Sequence, residues 1–441
     1  MSSADRLAAS DPTGPASSPV LPPSATAAAE RADAEAERRV SGPAGLAHVS
    51  ALSFLASRAA PSGAFVLALA GGVALARAGE RFGWRRGYGA SLAAMIQTVA
   101  YLGPARLNGP LTQALTAPVM GALERRGVGA LGQFAACFAG RMLHNTVATA
   151  FFVFVLLGGL DAYAGTYNET FGDLALLPSG PRAALAFTAV SLVGWAIVAT
   201  IVQIAVYRRG MRRWPDPAAK DDIDESAESG DLGGRGRFDP RAVALAAAVA
   251  FTLLVASTAA PLLAGVGAWL FVAWLLSRPD RRAVPTGVAL ALLIGGGSLV
   301  FSLVGGLGLA VGLQRGARAM LIVLVATWLR AAARSDGIRE VARRSLGRLR
   351  RIPSVPEAVS ILDELGAEAR LAPSGRALLA ELRSARKRPV AMVDAVLGWV
   401  AGESGRFRAG LIPPPARLRV AARDVALVAA AAAPVLTLLL G

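Results

Sequence analysis

The sequence contains 441 residues, 54% of them apolar and 17% charged, with a mean hydropathy of +0.49 and a formal net charge of +16. Hydropathy this high excludes an ordinary soluble domain. The arginines lie at the ends of apolar runs and in one C-terminal region, which indicates membrane topology rather than binding of nucleic acid. We therefore predict an all-α polytopic membrane protein of about 10–11 transmembrane helices with a cytoplasmic amphipathic helical region.

Residues able to bind a metal or to catalyse a reaction are sparse. The single cysteine and the two widely separated histidines exclude an intrachain disulfide and a multi-histidine or multi-cysteine metal centre. The sequence contains no GxxxxGK[ST] phosphate-binding loop, no HExxH, no CxxC and no nucleophile elbow. We predict no catalytic site, no metal and no cofactor, although an intramembrane enzyme acting on lipid needs no such motif and stays an alternative.

The N-terminal half is predicted to be a membrane module preceded by a tail. Residues 1–44 are rich in Ala, Ser and Pro and are predicted to be disordered. Residues 45–207 contain five or six apolar runs, the number depending on whether the weakly apolar stretch 45–57 crosses the membrane. The loops that carry arginines are predicted to be cytoplasmic, and the acidic loop 161–180 is predicted to lie outside.

A polar, acidic stretch at residues 208–240 is the predicted cytoplasmic linker to a second membrane module at residues 241–441. This module opens with an apolar hairpin and closes with an apolar helix from Val425 to Leu440. An apolar helix is also predicted from Ala317 to Ala333, and arginine-rich sequence follows it. We interpret the two halves as different membrane modules on one chain.

Short amphipathic helices are predicted in the arginine-rich region. Ile338, Val341 and Leu346 place an apolar stripe on one helix, and a Ser354–Glu357 capping box is predicted to start the next. Further helices are predicted to start near residues 374 and 389. Each of these helices is too short to be stable alone, so their stripes must be buried against each other, the membrane face or a partner.

Four parts of the sequence from residue 240 to residue 440 resemble the transmembrane T component of energy-coupling-factor (ECF) ABC transporters. The first is the opening apolar hairpin, and the others are "GLQRGARAMLIVLVATWLRAAARSDGIREVARRSLGRLRRI", "PSVPEAVSILDELGAEARL" and "LRVAARDVALVAAAAAPVLTLLL". They occur in the family's order: a span with an arginine near its start leads into cytoplasmic helices, and an Arg-Asp pair precedes the last span. The resemblance covers the C-terminal half only.

The resemblance implies that residues 334–420 contain coupling helices that bind separate ABC-type ATPase subunits, which would hydrolyse the ATP. The family's Ala-Arg-Gly motif has only imperfect counterparts here, Ala385-Arg386-Lys387 and Gly405-Arg406-Phe407. An arginine at a helix end is suited to bidentate pairing with a carboxylate. The arginines expected to bind a partner are Arg348, Arg350, Arg351, Arg386 and Arg406.

By the same resemblance, residues 45–207 have the span count of a substrate-binding S component, and a separate S component is a further expected partner. Polar groups inside a membrane are costly and therefore suggest function. We predict that residues 128–160 are too long for one straight span, with a break near Arg141–Asn145. The alternatives are a substrate or ion site at a broken helix, an ordinary turn between two short spans, and a tilted helix with a polar kink. The candidate substrate-binding residues are Asn108, Gln133, Arg141, His144 and Asn145.

Together these features predict the membrane subunit of an ECF-type importer for a vitamin-like or metal substrate, located in a prokaryotic cytoplasmic membrane. The alternatives are a non-transporting membrane scaffold that binds a cytoplasmic partner or anionic lipid, and an integral membrane enzyme that modifies lipid. A basic segment such as Arg348 to Ile352 is able to dock on membrane lipid as readily as on a protein.

Overall fold

The computed structural model describes residues 42–59, 64–106, 108–171, 180–214, 237–277, 279, 284–365, 378, 380, 389–407 and 420–436. These residues form α-helices and short 3-10 and π turns, and no strand occurs among them. The α-helices are α1 (Pro43–Ala59), α2 (Ala64–Leu102), α3 (Asn108–Arg125), α4 (Ala130–Ala150), α5 (Leu160–Phe171), α6 (Pro181–Arg212), α7 (Pro240–Ala256), α8 (Ala260–Ser277), α9 (Val284–Val304), α10 (Leu309–Arg348), α11 (Val355–Glu364), α12 (Pro389–Arg406) and α13 (Ala422–Ala432).

Five of the described helical segments are long and apolar enough to cross a membrane: Ala130–Leu156, Pro181–Arg212, Ala260–Ser277, Val284–Val304 and Leu309–Arg348. The first two are also the least buried, and large apolar side chains such as Leu131 and Val190 are exposed on them. Surfaces of this kind are expected to face lipid. The protein is therefore an all-α membrane protein. The other predicted spans correspond to helices that are shorter or less apolar by these criteria.

A glycine divides α2 into two antiparallel segments. Gly83 has φ 81°, a conformation that glycine adopts without steric cost. A Cβ added to Gly87 would lie 2.8 Å from the Cα of Gly79, so the two segments nearly touch just beyond the bend. The predicted arginine-rich loop at residues 81–86 is therefore a sharp helical bend.

The predicted boundary between the span and the arginine-rich region of α10 is confirmed. Arg334 has φ 60° and interrupts the helix, directly after the apolar run that ends at Ala333. A non-glycine residue at φ 60° and ψ 171° lies in a region used almost only by glycine, at a cost on the order of 1–3 kcal/mol. The structure thus separates a membrane segment from a second helical segment that continues to Arg348.

The apolar stripes of α11 and α12 are buried against the N-terminal half of the chain. Leu362 and Val396 belong to the same buried cluster as Phe54 of α1 and Val73 of α2. Residues 41–441 form one compact unit by contact. The two amphipathic helices of the predicted module 241–441 therefore pack on the predicted module 45–207.

The predicted capping box at Ser354 is wrong. Helix α11 begins at Val355 with Ser354 as its N-cap, but the Ser354 side chain makes no capping hydrogen bond. Glu357 lies instead 3.5 Å from the guanidinium of Arg86 on α2. The Glu357 carboxylate is therefore paired with Arg86 on α2 instead of capping the start of α11. The helix predicted to start near residue 374 lies mostly outside the described residues.

A second apolar core joins α7, α8, α10 and α13. Trp269 and Trp328 meet edge to face within it, with ring centroids 5.2 Å apart. The buried Asp424 carboxylate accepts the backbone N–H of Asp239 at 2.9 Å and that of Ala421 at 2.7 Å. The starts of α7 and α13 are therefore held together by one carboxylate, which agrees with the prediction that the Arg-Asp pair marks the start of the last helix.

The predicted outer loop at residues 161–180 begins as a helix, α5. Tyr167 is buried and its ring lies 5.5 Å from that of Phe187 on α6, and Thr166 donates to the carbonyl of Phe301 on α9 at 3.2 Å. This segment therefore covers the ends of α6 and α9 rather than standing free in water.

Candidate functional site

Three helices bring a chain of buried polar side chains together in the N-terminal half. The Arg141 guanidinium on α4 donates from Nη2 to Oε1 of Gln203 on α6, at 2.6 Å. The Gln203 amide donates in turn to Oγ1 of Thr116 on α3, at 2.7 Å. Arg141 is 4% exposed and Gln203 is fully buried. This chain of hydrogen bonds spans α4, α6 and α3, and we call it the Arg141 network.

A tyrosine extends the network toward α2. The hydroxyl of the fully buried Tyr207 on α6 donates to Oε1 of Gln113 on α3. A Cβ on Gly72 of α2 would lie 1.7 Å from this hydroxyl oxygen. Glycine at position 72 therefore leaves the space that the tyrosine hydroxyl occupies, because any side chain there would overlap it.

The depth of the network follows from helix geometry. At the arginine-rich end, Glu124 accepts a hydrogen bond from Gln133 on α4 and lies 3.7 Å from Arg208 on α6. Arg141 lies two turns along α4 from Gln133, about 12 Å at 1.5 Å per residue. The hydrocarbon core of a bilayer is about 30 Å thick. With the arginine-rich end placed at the membrane surface, the Arg141 network would lie within the apolar layer, between its edge and its middle.

The Arg141 charge has no opposite charge beside it among the described residues. The titratable groups nearest to it there are the Tyr207 hydroxyl and the Cys137 thiol, and no carboxylate is among them. Its Nε is buried and lacks a hydrogen-bond partner within the described part of the chain. Removing a cation from water costs several kcal/mol even after relaxation. A charge kept there without a counterion points to a ligand.

Two further polar groups near Arg141 lack partners within the described residues. The amide Nδ2 of Asn145, one turn along α4, is buried without an acceptor. The hydroxyl of Thr200, one turn before Gln203 on α6, is also buried without a partner. Buried polar groups in folded proteins are nearly always hydrogen-bonded, so three unsatisfied groups within about one turn of the Arg141–Gln203 bond are unusual.

The predicted break at Arg141–Asn145 is wrong. Helix α4 runs without interruption from Ala130 to Ala150, and the irregularity comes just beyond it, as a π-helix at Phe151–Leu156. The π turn lets one long segment continue past the length of a straight span. Arg141 and Asn145 are therefore on one face of a regular helix, since they are four residues apart.

The structure separates the other predicted substrate-binding residues. Gln133 lies at the arginine-rich end, where its amide binds Glu124 and, at 3.0 Å, the carbonyl of Val128. His144 is half-buried on α4, three residues from Arg141 and on the same side of the helix. The Asn108 side chain lies outside the described residues, although its backbone starts α3.

Sequence reasoning missed four of the residues that α3 and α6 contribute. The missed residues are Thr116, Thr200, Gln203 and Tyr207. On α6, Thr200, Gln203 and Tyr207 follow each other at intervals of three and four, and so form a polar stripe on an otherwise apolar helix. That periodicity was the available signal, and it is hidden when the helix is judged by its mean hydropathy alone.

Three of the predicted partner-binding arginines lie on a surface separate from the Arg141 network. Arg348, Arg350 and Arg351 are exposed in the turn between α10 and α11. Arg386 lies outside the described residues, and so does the side chain of Arg406 at the end of α12. We call the exposed turn together with α11 and α12 the platform.

The platform is joined to the helix that carries Gln203. Asp394 of α12 accepts hydrogen bonds from Nε and Nη2 of Arg209 on α6, at 3.1 and 3.0 Å, and lies 3.6 Å from Arg213. The hydrogen bond from Arg209 lowers the pKa of the Asp394 carboxyl, against the opposing effect of burial, and the charges of Arg209 and Arg213 lower it further. Gln203 lies less than two turns along the same helix.

The arginine-rich end of α6 also borders a cavity. Its volume is about 460 Å³, and it is lined by Ala205, Arg208, Arg209, Arg212 and Arg213. Asp394 neutralises only part of this charge, since four arginines face the space. Such a cavity suits an acidic group at the membrane edge.

No family model, curated protein or solved structure matches this chain. Chemically, the Arg141 network presents one cation and several hydrogen-bond donors, and the described residues contain no cluster of His, Cys, Asp or Glu that is able to hold a metal ion. The arrangement is suited to binding and not to proton transfer by a carboxylate or histidine pair.

Proposed function

We propose that this chain is the membrane subunit of an ECF-type importer in a prokaryotic cytoplasmic membrane. In this proposal the platform binds separate ABC-type ATPase subunits, and the N-terminal helices bind the substrate. The resemblance of residues 240–440 to the T component motivates the proposal.

The observation that carries the proposal is the double attachment of α6. At its arginine-rich end α6 is paired with Asp394 of the platform, and in its interior it binds Arg141 through Gln203. Motion of α12 on binding or release of an ATPase would therefore be passed to the polar network by a single helix. Packed helices transmit displacement because close-packed interiors have low compressibility.

The burial of α11 and α12 supports the same mechanism. Their apolar stripes pack on α1 and α2, while Arg348, Arg350 and Arg351 stay exposed. A partner that bound these arginines would push on a surface attached to the N-terminal half by core contacts and by the Glu357–Arg86 ion pair at 3.5 Å. A freely tethered coupling segment would lack this connection.

The test is affinity capture of the full-length protein from its native membrane in mild detergent. The variant replaces Arg348, Arg350 and Arg351 by Ala, and a second variant carries Arg386→Ala with Arg406→Ala. The matched control replaces Arg125 and Arg126, which are exposed arginines outside the platform. We expect ATP-binding-cassette ATPases to be recovered with the wild type and the control and at least tenfold less with one or both platform variants.

Absence of any ATPase from the wild-type capture, after chemical cross-linking in the membrane, would overturn the importer proposal. Equal recovery with all variants would show that the ATPases bind elsewhere than on these arginines. The cross-linking step matters because interfaces that depend on a few exposed ion pairs are weakened by salt and detergent.

The second candidate function is a scaffold that binds anionic lipid, and the cavity beside α6 favours it. Four arginines line that cavity at the membrane edge. Native mass spectrometry would show phosphatidylglycerol retained by the wild type and lost when Arg208 and Arg212 are replaced by Ala. Retained lipid together with failed ATPase capture would make the scaffold the better account.

A further inference from the structure

We infer that Arg141, Asn145 and Thr200 form an intramembrane site for an oxyanion, the carboxylate or phosphate group of a small ligand. This inference rests on the proposed import function only in naming the ligand as the substrate. The binding site itself is argued from the geometry of α4 and α6.

The two helices run in opposite directions past each other. Gln133 is linked through Glu124 to Arg208, and further along α4 Arg141 meets Gln203, which precedes Arg208 on α6. Moving one more turn along α4 reaches Asn145, and moving one turn back along α6 reaches Thr200. The unsatisfied groups of these two residues therefore lie one turn above the Arg141–Gln203 bond, on the sides of the helices that face each other.

The chemistry of these groups selects the ligand. Arg141 Nε and Asn145 Nδ2 are donors only, and the Thr200 hydroxyl is able to donate. A ligand that satisfies all three must offer acceptor oxygens, and one that also balances the guanidinium must carry negative charge. This site would therefore take an oxyanion and reject a metal cation, since no carboxylate among the described residues offsets the arginine.

A second buried arginine, Arg318, differs from Arg141 in having backbone carbonyls as hydrogen-bond acceptors. Arg318 of α10 is also 4% exposed. Its Nε and Nη2 donate to the carbonyls of Leu254 and Val255 in the last turn of α7, where unpaired carbonyls and the helix dipole favour a cation. Arg141 is buried to the same degree but has only the neutral Gln203 amide as a partner in the described chain.

The experiment uses the full-length protein in detergent and the chain's own cysteine as reporter. Cys137 is the single cysteine, it is buried one turn from Arg141, and a thiol-reactive fluorophore will label it only on unfolding. Unfolding temperatures are measured with sodium benzoate, sodium phosphate, the neutral analogue benzamide, and sodium chloride at equal ionic strength. A ligand that binds only the native state raises the unfolding temperature.

We expect benzoate or phosphate to raise the unfolding temperature of the wild type in a saturable way, and benzamide and chloride not to do so. Arg141→Gln should weaken the apparent affinity for the oxyanion at least tenfold, whereas Arg318→Gln should keep the response. Should Arg141→Gln fail to fold, Asn145→Leu and Thr200→Val replace it, each with an expected several-fold loss.

An equal response to benzamide, or an unchanged affinity in all three site variants, would overturn the inference. A response to neither benzoate nor phosphate, but to phosphatidylglycerol over phosphatidylcholine in nanodiscs and through Arg141, would support the oxyanion site and identify a lipid headgroup as its source. The result is independent of ATPase capture. An oxyanion response without ATPases refutes only the importer, and ATPases without an oxyanion response refute only this site.

Discussion

The close crossing of α2 and α3 makes Gly121→Ala the sharpest stability prediction. A Cβ at Gly121 would lie 1.8 Å from the carbonyl oxygen of Ala76 and 2.7 Å from the Glu80 nitrogen. Ordinary van der Waals contact begins near 3.4 Å, so the helices would have to separate by about 1.6 Å, the difference between these two distances. Both obstructing atoms are backbone, and neither is able to rotate away.

The magnitude follows from two opposing effects. Overpacking a well-packed interior costs typically about 1–3 kcal/mol, and a backbone shift of this size belongs near the upper end. Replacing a glycine by alanine inside a helix returns about 1 kcal/mol through lower chain entropy. The net loss of unfolding free energy is therefore about 2 kcal/mol, which corresponds to a fall in unfolding temperature of roughly 4 °C.

The assay is thermal unfolding of the detergent-purified protein, in which labelling of Cys137 reports the unfolded fraction. The matched control is Gly296→Ala on α9, where an added Cβ meets nothing within 4 Å, so stability should be unchanged or higher. Ala76→Gly should not rescue Gly121→Ala, because the clash is with the Ala76 carbonyl oxygen. An unfolding temperature for Gly121→Ala equal to or above that of the Gly296→Ala control would refute the close crossing.

Two further predictions concern the platform. Leu362→Ala removes a side chain that is 2% exposed and should cost about 2–5 kcal/mol locally. The loss should be seen as faster chymotrypsin cleavage at Trp399 of α12, whereas Ile352→Ala, 51% exposed, should behave as the wild type. The other prediction concerns pH. The Asp394 carboxyl has a lowered pKa, so its contribution to the free energy of unfolding is fully present above its unfolded pKa of about 3.9 and is lost as pH falls through the folded pKa. The unfolding temperature of the wild type, followed by circular dichroism, should therefore fall below about pH 4, while Asp394→Asn should show a lowered unfolding temperature already at neutral pH.

Local chemistry explains which features could be predicted from the sequence. The apolar run ending at Ala333 and the arginines after it predicted the boundary that the break at Arg334 confirms. The start of α12 at Pro389 was also predicted, since proline suits the first turn of a helix. Charge, proline and periodicity act within a few residues, so they can be recognised without knowledge of the fold.

Contacts between distant segments could not be predicted in the same way. The amphipathic stripes required a partner surface, but nothing in Leu362 or Val396 identifies α1 and α2 as that surface. Arg141 was predicted as a site residue because a charge in an apolar run is conspicuous. Its partner Gln203 is 62 residues away, and only the packing of α4 on α6 brings them together.

The burial of α11 and α12 on the N-terminal helices changes what the connection at residues 215–236 means for the protein. The two halves are held together by interleaved cores, by the Arg209–Asp394 pair at 3.0 Å and by the bond from Arg330 to the Tyr101 carbonyl at 3.0 Å. Their association is thus a property of side chains and does not require a continuous polypeptide. A gene divided at this connection would still encode two polypeptides with complementary surfaces, so the single chain and a two-subunit complex are equivalent solutions to the same assembly.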